Sequence, residues 1–259
     1  MSFSQTTKLI LIITSSVILV GSAIAIPTSI VVVRNNNTIN FNLLYNAGVM
    51  IESKGVRIYI DPIDLPDNYS DLPADAILIT HEHGDHYQSS MLTMLEKEDT
   101  LFVFPEILDS YIALYDGLGV VPGDTFQVGH ILVTCFYMYT LPPPGYPASH
   151  PQESNYTSYL ININGFTFFH AGDSSNIPEY SELNGLVDVA LLPLGPGCQT
   201  MADNDVVLAI DTIDPTYFIP IHFAAGADVI FCTVYDTAIE NTGCILKHMS
   251  YFSATTFTA

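Results

Sequence analysis

The chain has 259 residues, 49% of them hydrophobic, with 16 glycines and 16 prolines, the make-up of one large globular domain plus a short extension rather than a disordered or low-complexity chain. Six basic residues against 27 acidic ones give a formal net charge of −21, which excludes an extended field for gathering polyanions, so no nucleic-acid partner is expected.

Leu9 to Val33 carries no charged residue and is long enough to cross a bilayer, for which about 20 apolar residues suffice. Lys8, the apolar run Leu9 to Val20 and the small residues Gly21-Ser22-Ala23-Ile24-Ala25 together predict a signal peptide or an N-terminal membrane anchor over residues 1–35. The expected location is therefore membrane-anchored or secreted, with an extracytoplasmic domain over residues 36–259. Export would place Cys135, Cys198, Cys232 and Cys244 in an oxidising compartment with three possible pairings; buried thiols are the alternative.

Val49 to Glu52 and Val56 to Ile60 flank Lys54-Gly55 and predict a hairpin that stops at Asp61-Pro62, where proline cannot extend the ladder. Ala76 to Thr80 is a short apolar run fitting a strand buried on both faces. Leu101 to Phe104 predicts another strand, followed after Pro105 by a helix through Tyr115, and Ile131 to Cys135 a further strand. Tyr159 to Ile163 and Phe166 to Phe169 are joined by Asn164-Gly165, a dipeptide suited to a two-residue turn. Val187 to Leu192 and Tyr217 to Ile221 predict strands separated by a helix from Ala202 to Ile213. Hairpins combined with βα units predict an α/β fold of two mixed sheets packed face to face, with helices outside.

His81-Glu82-His83-Gly84-Asp85-His86 places three imidazoles and two carboxylates in six residues, directly after the buried strand. Such groups suit borderline divalent ions, and a loop ending a core strand can aim several of them inward from a rigid support. Glu82 and Gly84 read as spacers, the glutamate solvated or supporting the ligands from outside and the glycine permitting a tight backbone. Asp61 is expected to orient a ligand imidazole or the loop rather than to coordinate, because ligating histidines need such a partner. His170 is expected to pack or support, and Tyr87 to pack or donate to a substrate oxygen. His130 and His248 fall outside every motif, and Leu141 to Tyr156 is expected to border the pocket.

The pattern H-x-H-x-D-H resembles the signature of the metallo-β-lactamase superfamily, and His150, His170-Ala171-Gly172-Asp173 and His222 follow in that family's order. Ile58-Tyr59-Ile60-Asp61-Pro62 and Ala190-Leu191-Leu192-Pro193-Leu194 further resemble the branch of small metal-dependent hydrolases related to L-ascorbate-6-phosphate lactonase. The resemblance implies an αββα sandwich with two divalent metal ions, zinc or alternatively manganese, at one edge. It implies one ion held by His81, His83 and His150, the other by Asp85, His86 and His222, with Asp173 between them. Asp85 and Asp173 are the implied catalytic carboxylates, and a metal-bridging hydroxide the implied nucleophile. The expected activity is hydrolysis of an ester, lactone, amide or phosphodiester of a small molecule or lipid. A membrane-associated phosphodiesterase and a noncatalytic metal-binding module are the alternatives.

Overall fold

The computed structural model describes residues 37–195 and 197–259. Fourteen strands form two sheets of seven. The first half of the chain supplies β1 (Thr38–Leu43), β2 (Val49–Ser53), β3 (Val56–Ile60), β4 (Ala76–Leu78), β5 (Leu101–Pro105) and β6 (Leu118–Val120). The second half supplies β7 (Thr125–Val128), β8 (Ile131–Tyr137), β9 (Thr157–Ile163), β10 (Phe166–His170), β11 (Val189–Pro193), β12 (Tyr217–Ile221), β13 (Ile245–Leu246) and β14 (Ser253–Thr258). One sheet runs β14-β1-β2-β3-β4-β5-β6 and the other β13-β12-β11-β10-β9-β8-β7. Each is antiparallel where hairpins connect it and parallel where helices do. The helices are α1 (Ser89–Leu95) and α2 (Asp109–Tyr115) on the first sheet's side, and α3 (Asp203–Ile213) and α4 (Ala227–Glu240) on the second's. The architecture is the expected αββα sandwich.

Strand alternation explains the layers. In the first sheet Ile58, Ile60, Leu78 and Val103 enter the core between the sheets. Their neighbours Tyr59, Ile77, Phe102 and Phe104 pack on the opposite face with Leu92 and Leu95 of α1. Side chains that alternate across a pleat and are apolar on both faces fit a sheet covered twice. Both expected hairpins form, with Lys54 and Gly55 at φ 50° and 82° and Asn164 and Gly165 at φ 52° and 95°, the left-handed pair such a turn requires.

The expectation of a signal peptide or membrane anchor over residues 1–35 falls outside the described residues, and the membrane reading is corrected. No helix among the described residues is long and apolar enough to cross a membrane. α4, with 14 residues, is the longest described, and at about 1.5 Å per residue it falls well short of a hydrocarbon core of about 30 Å. A membrane-anchored, secreted or extracytoplasmic placement is not carried further. All four cysteines are free thiols, with Cys135, Cys232 and Cys244 buried and Cys198 exposed.

Candidate metal centre

The site lies where strand ends from both sheets meet. His81 follows β4, Asp173 follows β10, His222 follows β12, and His150 sits in the connection between β8 and β9. Four strands thus deliver side chains to one edge, and the short loops leave them little freedom. The expected strand Ala76–Thr80 stops at Leu78 for a reason that belongs to the site. The Thr80 amide donates to Asp61 Oδ1 at 2.8 Å instead of to a neighbouring strand, which turns the chain into the histidine loop.

Asp61 organises two imidazoles. Its Oδ2 accepts from His86 Nδ1 at 2.8 Å and from the Thr80 hydroxyl at 2.6 Å. A carboxylate oxygen accepts, so His86 carries a proton on Nδ1 toward Asp61 and turns Nε2 toward Asp173 Oδ1, 3.0 Å away. The Thr80 hydroxyl directs its hydrogen to Asp61, so its oxygen accepts from His81 Nδ1 at 3.0 Å, leaving His81 Nε2 with its lone pair. The orienting role expected for Asp61 is met through this pair of contacts.

All seven sequence-predicted residues come together in two groups. His81, His83, His150 and Asp173 each offer one ligand atom within 4.8 Å of the others, and Asp85, His86 and His222 do the same. Asp173 lies between them, with Oδ2 4.0 Å from His81 Nε2 and Oδ1 3.4 Å from His222 Nε2. His150 Nε2 faces His83 Nδ1 at 3.2 Å, and His222 Nε2 faces Asp85 Oδ2 at 3.2 Å.

The test of fit is the group of buried polar atoms at this edge that lack a hydrogen bond: His81 Nε2, His86 Nε2 and both oxygens of Asp173. Orphaned buried groups are costly, and here they are lone-pair donors aimed at one another, the donor set of borderline divalent ions. The residues present fit a metal.

Burial and charge set the protonation states. Burial pushes His81 well below the ordinary imidazole value, helped by the neighbouring His86, His150 and His83. Burial likewise brings His150 down to about 4. For His86 burial acts in the same direction, but the carboxylates of Asp173 and Asp61 overcome it and hold the group well above its usual value. Asp173 is lowered because His86, His222 and His150 outweigh its own desolvation. The hydrogen bond from His222 draws Asp85 far down.

His170 and His248 are accounted for without coordination. Fully buried His170 donates from Nε2 to the Ala47 carbonyl at 2.7 Å and accepts at Nδ1 from the Gly172 amide. His248 Nε2 pairs with Asp228 Oδ2 at 2.6 Å. Tyr87 packs against Tyr111 and bonds the Tyr115 hydroxyl, the packing outcome of the two expected. Leu141 and Pro143 border a cavity of about 320 Å³ together with Ser175 and Gln199.

Four site residues carry no sequence signal that singles them out. Tyr156 donates to Glu82 Oε1 at 2.7 Å and packs against the rings of His81 and His150, so of the two expectations for Glu82 the supporting one holds. Thr80 is the relay described above. Asn46 donates from its side chain to the Asp85 carbonyl at 2.9 Å while its own carbonyl accepts from the His222 amide at 2.9 Å. That clamp holds His222 at φ 52°, a left-handed backbone of the sort that functional sites retain. Gln199 accepts from the Ser149 amide at 2.9 Å and donates to the Pro147 carbonyl at 3.0 Å, fixing the chain that delivers His150.

A histidine and carboxylate cluster at the shared edge of two mixed sheets is the arrangement of a metal-dependent hydrolase. A family model of the beta-lactamase superfamily domain matches residues 41–222. A UPF0173 protein from Pyrococcus abyssi is 33% identical over 182 residues, covering 69% of this chain and 80% of that one. A UPF0173 metal-dependent hydrolase from Anoxybacillus flavithermus is 30% identical over 195 residues, covering 68% and 81%. Among solved structures, a candidate metal-dependent hydrolase from Parabacteroides distasonis superposes with a TM-score of 0.73 at 26% identity, over 82% of this chain and 93% of that chain. The chain therefore belongs to the beta-lactamase superfamily, among its metal-dependent hydrolases.

Proposed function

We propose that the seven residues hold two divalent ions, zinc in preference to manganese because imidazole predominates among the donors, and that the enzyme hydrolyses an ester, lactone, amide or phosphodiester of a small molecule. The observation that carries this reading is the convergence of unpartnered buried atoms on His81, His86 and Asp173, with the other four residues gathered around them. Bound divalent ions would supply Lewis acidity, making a water acidic enough to deliver hydroxide near neutral pH and polarising the scissile carbonyl or phosphoryl oxygen.

The chain's own residues do the rest. Asp61 and Thr80 fix the tautomers of His86 and His81, and Asp173 joins the two groups of ligands. Asp85, whose side chain is 50% exposed, faces the open side and is placed to accept a hydrogen bond from an incoming water. The buried walls formed by His81, His86, His150 and Asp173, all fully inaccessible, keep bulk water from the deep side.

The test is metal quantification with a hydrolysis assay on wild type, His83→Ala, Asp173→Ala and Lys97→Ala. Both site variants are expected to lose metal and activity together. Lys97, which pairs with Asp75 away from the site, is expected to matter to neither. Undiminished metal content in both site variants would overturn the assignment.

A further inference from the structure

The seven residues are unevenly buried, and the unevenness gives the centre a direction. His81, His86, His150 and Asp173 are inaccessible, whereas Asp85 is 50% exposed and His222 14% in their side chains. Substrate has its approach on the open side, where Asp85, His222 and the half-buried His83 lie. One residue beyond each arm of the Asn46–His222 clamp stands an aromatic ring, Tyr45 before Asn46 and Phe223 after His222. With Tyr251 and Ala224 these rings line a cavity of about 300 Å³.

Its walls are built to keep their shape. Phe223 and Tyr251 stack at 4.3 Å, and Tyr45 meets Tyr251 edge-on at 5.2 Å. The Tyr251 hydroxyl donates to the Phe223 carbonyl at 2.8 Å and accepts from the Phe223 amide at 3.1 Å, so its polar end is spent on the backbone and its ring is left as apolar surface. Tyr45 is 42% exposed, a large aromatic at the mouth. A larger cavity of about 530 Å³ surrounds Gly165 at the far end of the second sheet; neither cavity is lined by one of the seven residues, but the smaller one is lined by the chain neighbours of Asn46 and His222 and the larger one is not.

Charge narrows the occupant. Asp228, 8% exposed, lines the same cavity with Oδ2 already paired to His248 Nε2 at 2.6 Å, so the pair offers no free cation to an anionic group. Among the described residues Arg57 pairs with Glu52, Lys97 with Asp75, and Lys247 lies over the rings of Tyr217 and Phe257. Lys54 sits in the β2–β3 turn. All four lie toward the strand ends opposite the metal centre, so no described lysine or arginine is placed to bind a substrate phosphate. We propose that the Tyr45–Phe223–Tyr251 cavity is the substrate's apolar subsite, and that the enzyme acts on an uncharged carboxyl ester, lactone or amide bearing a small aryl or alkyl group. This rests on the metallohydrolase reading above.

Calorimetric titration of the zinc-loaded protein with acetohydroxamate, benzohydroxamate and 4-carboxybenzohydroxamate tests it by binding alone. Benzohydroxamate is expected to bind roughly tenfold tighter than acetohydroxamate, and the added carboxylate to remove most of that gain. Tyr45→Ala, at an exposed position that leaves folding intact, and Phe223→Ala are expected to abolish the aryl preference with zinc content unchanged, while Leu141→Ala keeps it. Equal affinities for the first two probes, an aryl preference that survives both ring variants, or one lost only in Leu141→Ala would overturn the subsite. Failure to retain zinc, or to bind any of the three probes, would instead remove the metallohydrolase reading and this inference with it.

Discussion

Asp61 touches no substrate, yet three hydrogen bonds run through its carboxylate, and two of them decide which nitrogen each neighbouring histidine presents. Asn at this position keeps the shape but puts an amide where one acceptor oxygen stood. Asp61→Asn is expected to weaken zinc affinity by about 10- to 100-fold, the range for partners that orient ligating histidines, and Thr80→Val to do the same through His81. Competition against a chelator of known affinity measures this, and wild-type affinity in both variants would rule out the relay. The two glycines beside the ligands differ in kind. Gly172 sits at φ 58°, and a Cβ there would meet Met138 Sδ at 2.6 Å and Thr80 Cβ at 3.1 Å, so Gly172→Ala is expected to unfold the edge by about 1–3 kcal/mol or more. The backbone does turn tightly at Gly84, where the His86 and Tyr87 amides both donate to the His83 carbonyl, but a Cβ there meets nothing within 4 Å. Gly84→Ala should therefore leave the melting temperature and zinc content unchanged, where Gly172→Ala lowers both.

Among the elements, those whose reasons are local were legible in advance. The Asn164-Gly165 turn, the proline-stopped β3 and the apolar β5, β11 and β12 each carry their cause in a few neighbouring residues. What escaped was set by tertiary partners. β4 is two residues shorter than its apolar run because a carboxylate 19 positions away takes the Thr80 amide. The edge strand β14 exists by pairing with β1 at the other end of the chain, Thr38 opposite Thr258. α4 hides because Val229-Ile230-Phe231-Cys232-Thr233-Val234-Tyr235 is composed like a strand; only packing of Phe231 and Cys232 against the core makes it a helix. The seven residues that converge were legible through their motif order, whereas Tyr156, Asn46 and Gln199 were not, since their roles come from contacts across 74, 39 and 50 positions. The composition of α4 has a testable consequence. Ile230 and Val234 are 66% and 65% exposed, so their branching costs helix propensity with little packing in return. Val234→Ala is expected to stabilise the protein by a few tenths of a kcal/mol, read as a small rise in melting temperature. A fall of several degrees would mean that this face is covered.

At the scale of the whole molecule, the metal centre joins the two sheets, because β4 belongs to one and β10 and β12 to the other. Ions gripped from both sheets bind the folded chain and not the unfolded one, so chelation should lower the melting temperature as well as abolish activity. The size of that effect depends on pH through His86. Asp173 and Asp61 raise its folded value well above 6.5 against the cost of burial, so without metal the group keeps its proton through neutral pH. In the metal-free protein that proton contributes stability which is fully present below the unfolded value and lost as pH rises through the raised folded one. Coordination requires the lone pair on Nε2, so metal must displace this proton, while His81 and His150, both lowered by burial, are already neutral there. Zinc binding near pH 7 is therefore expected to release protons, seen as a dependence of the calorimetric enthalpy on the buffer's ionisation enthalpy. The gap in melting temperature between zinc-loaded and chelator-treated protein should widen between about pH 6 and about pH 8. A gap that stays constant, together with buffer-independent enthalpies, would show that His86 is not the group that yields its proton to the metal.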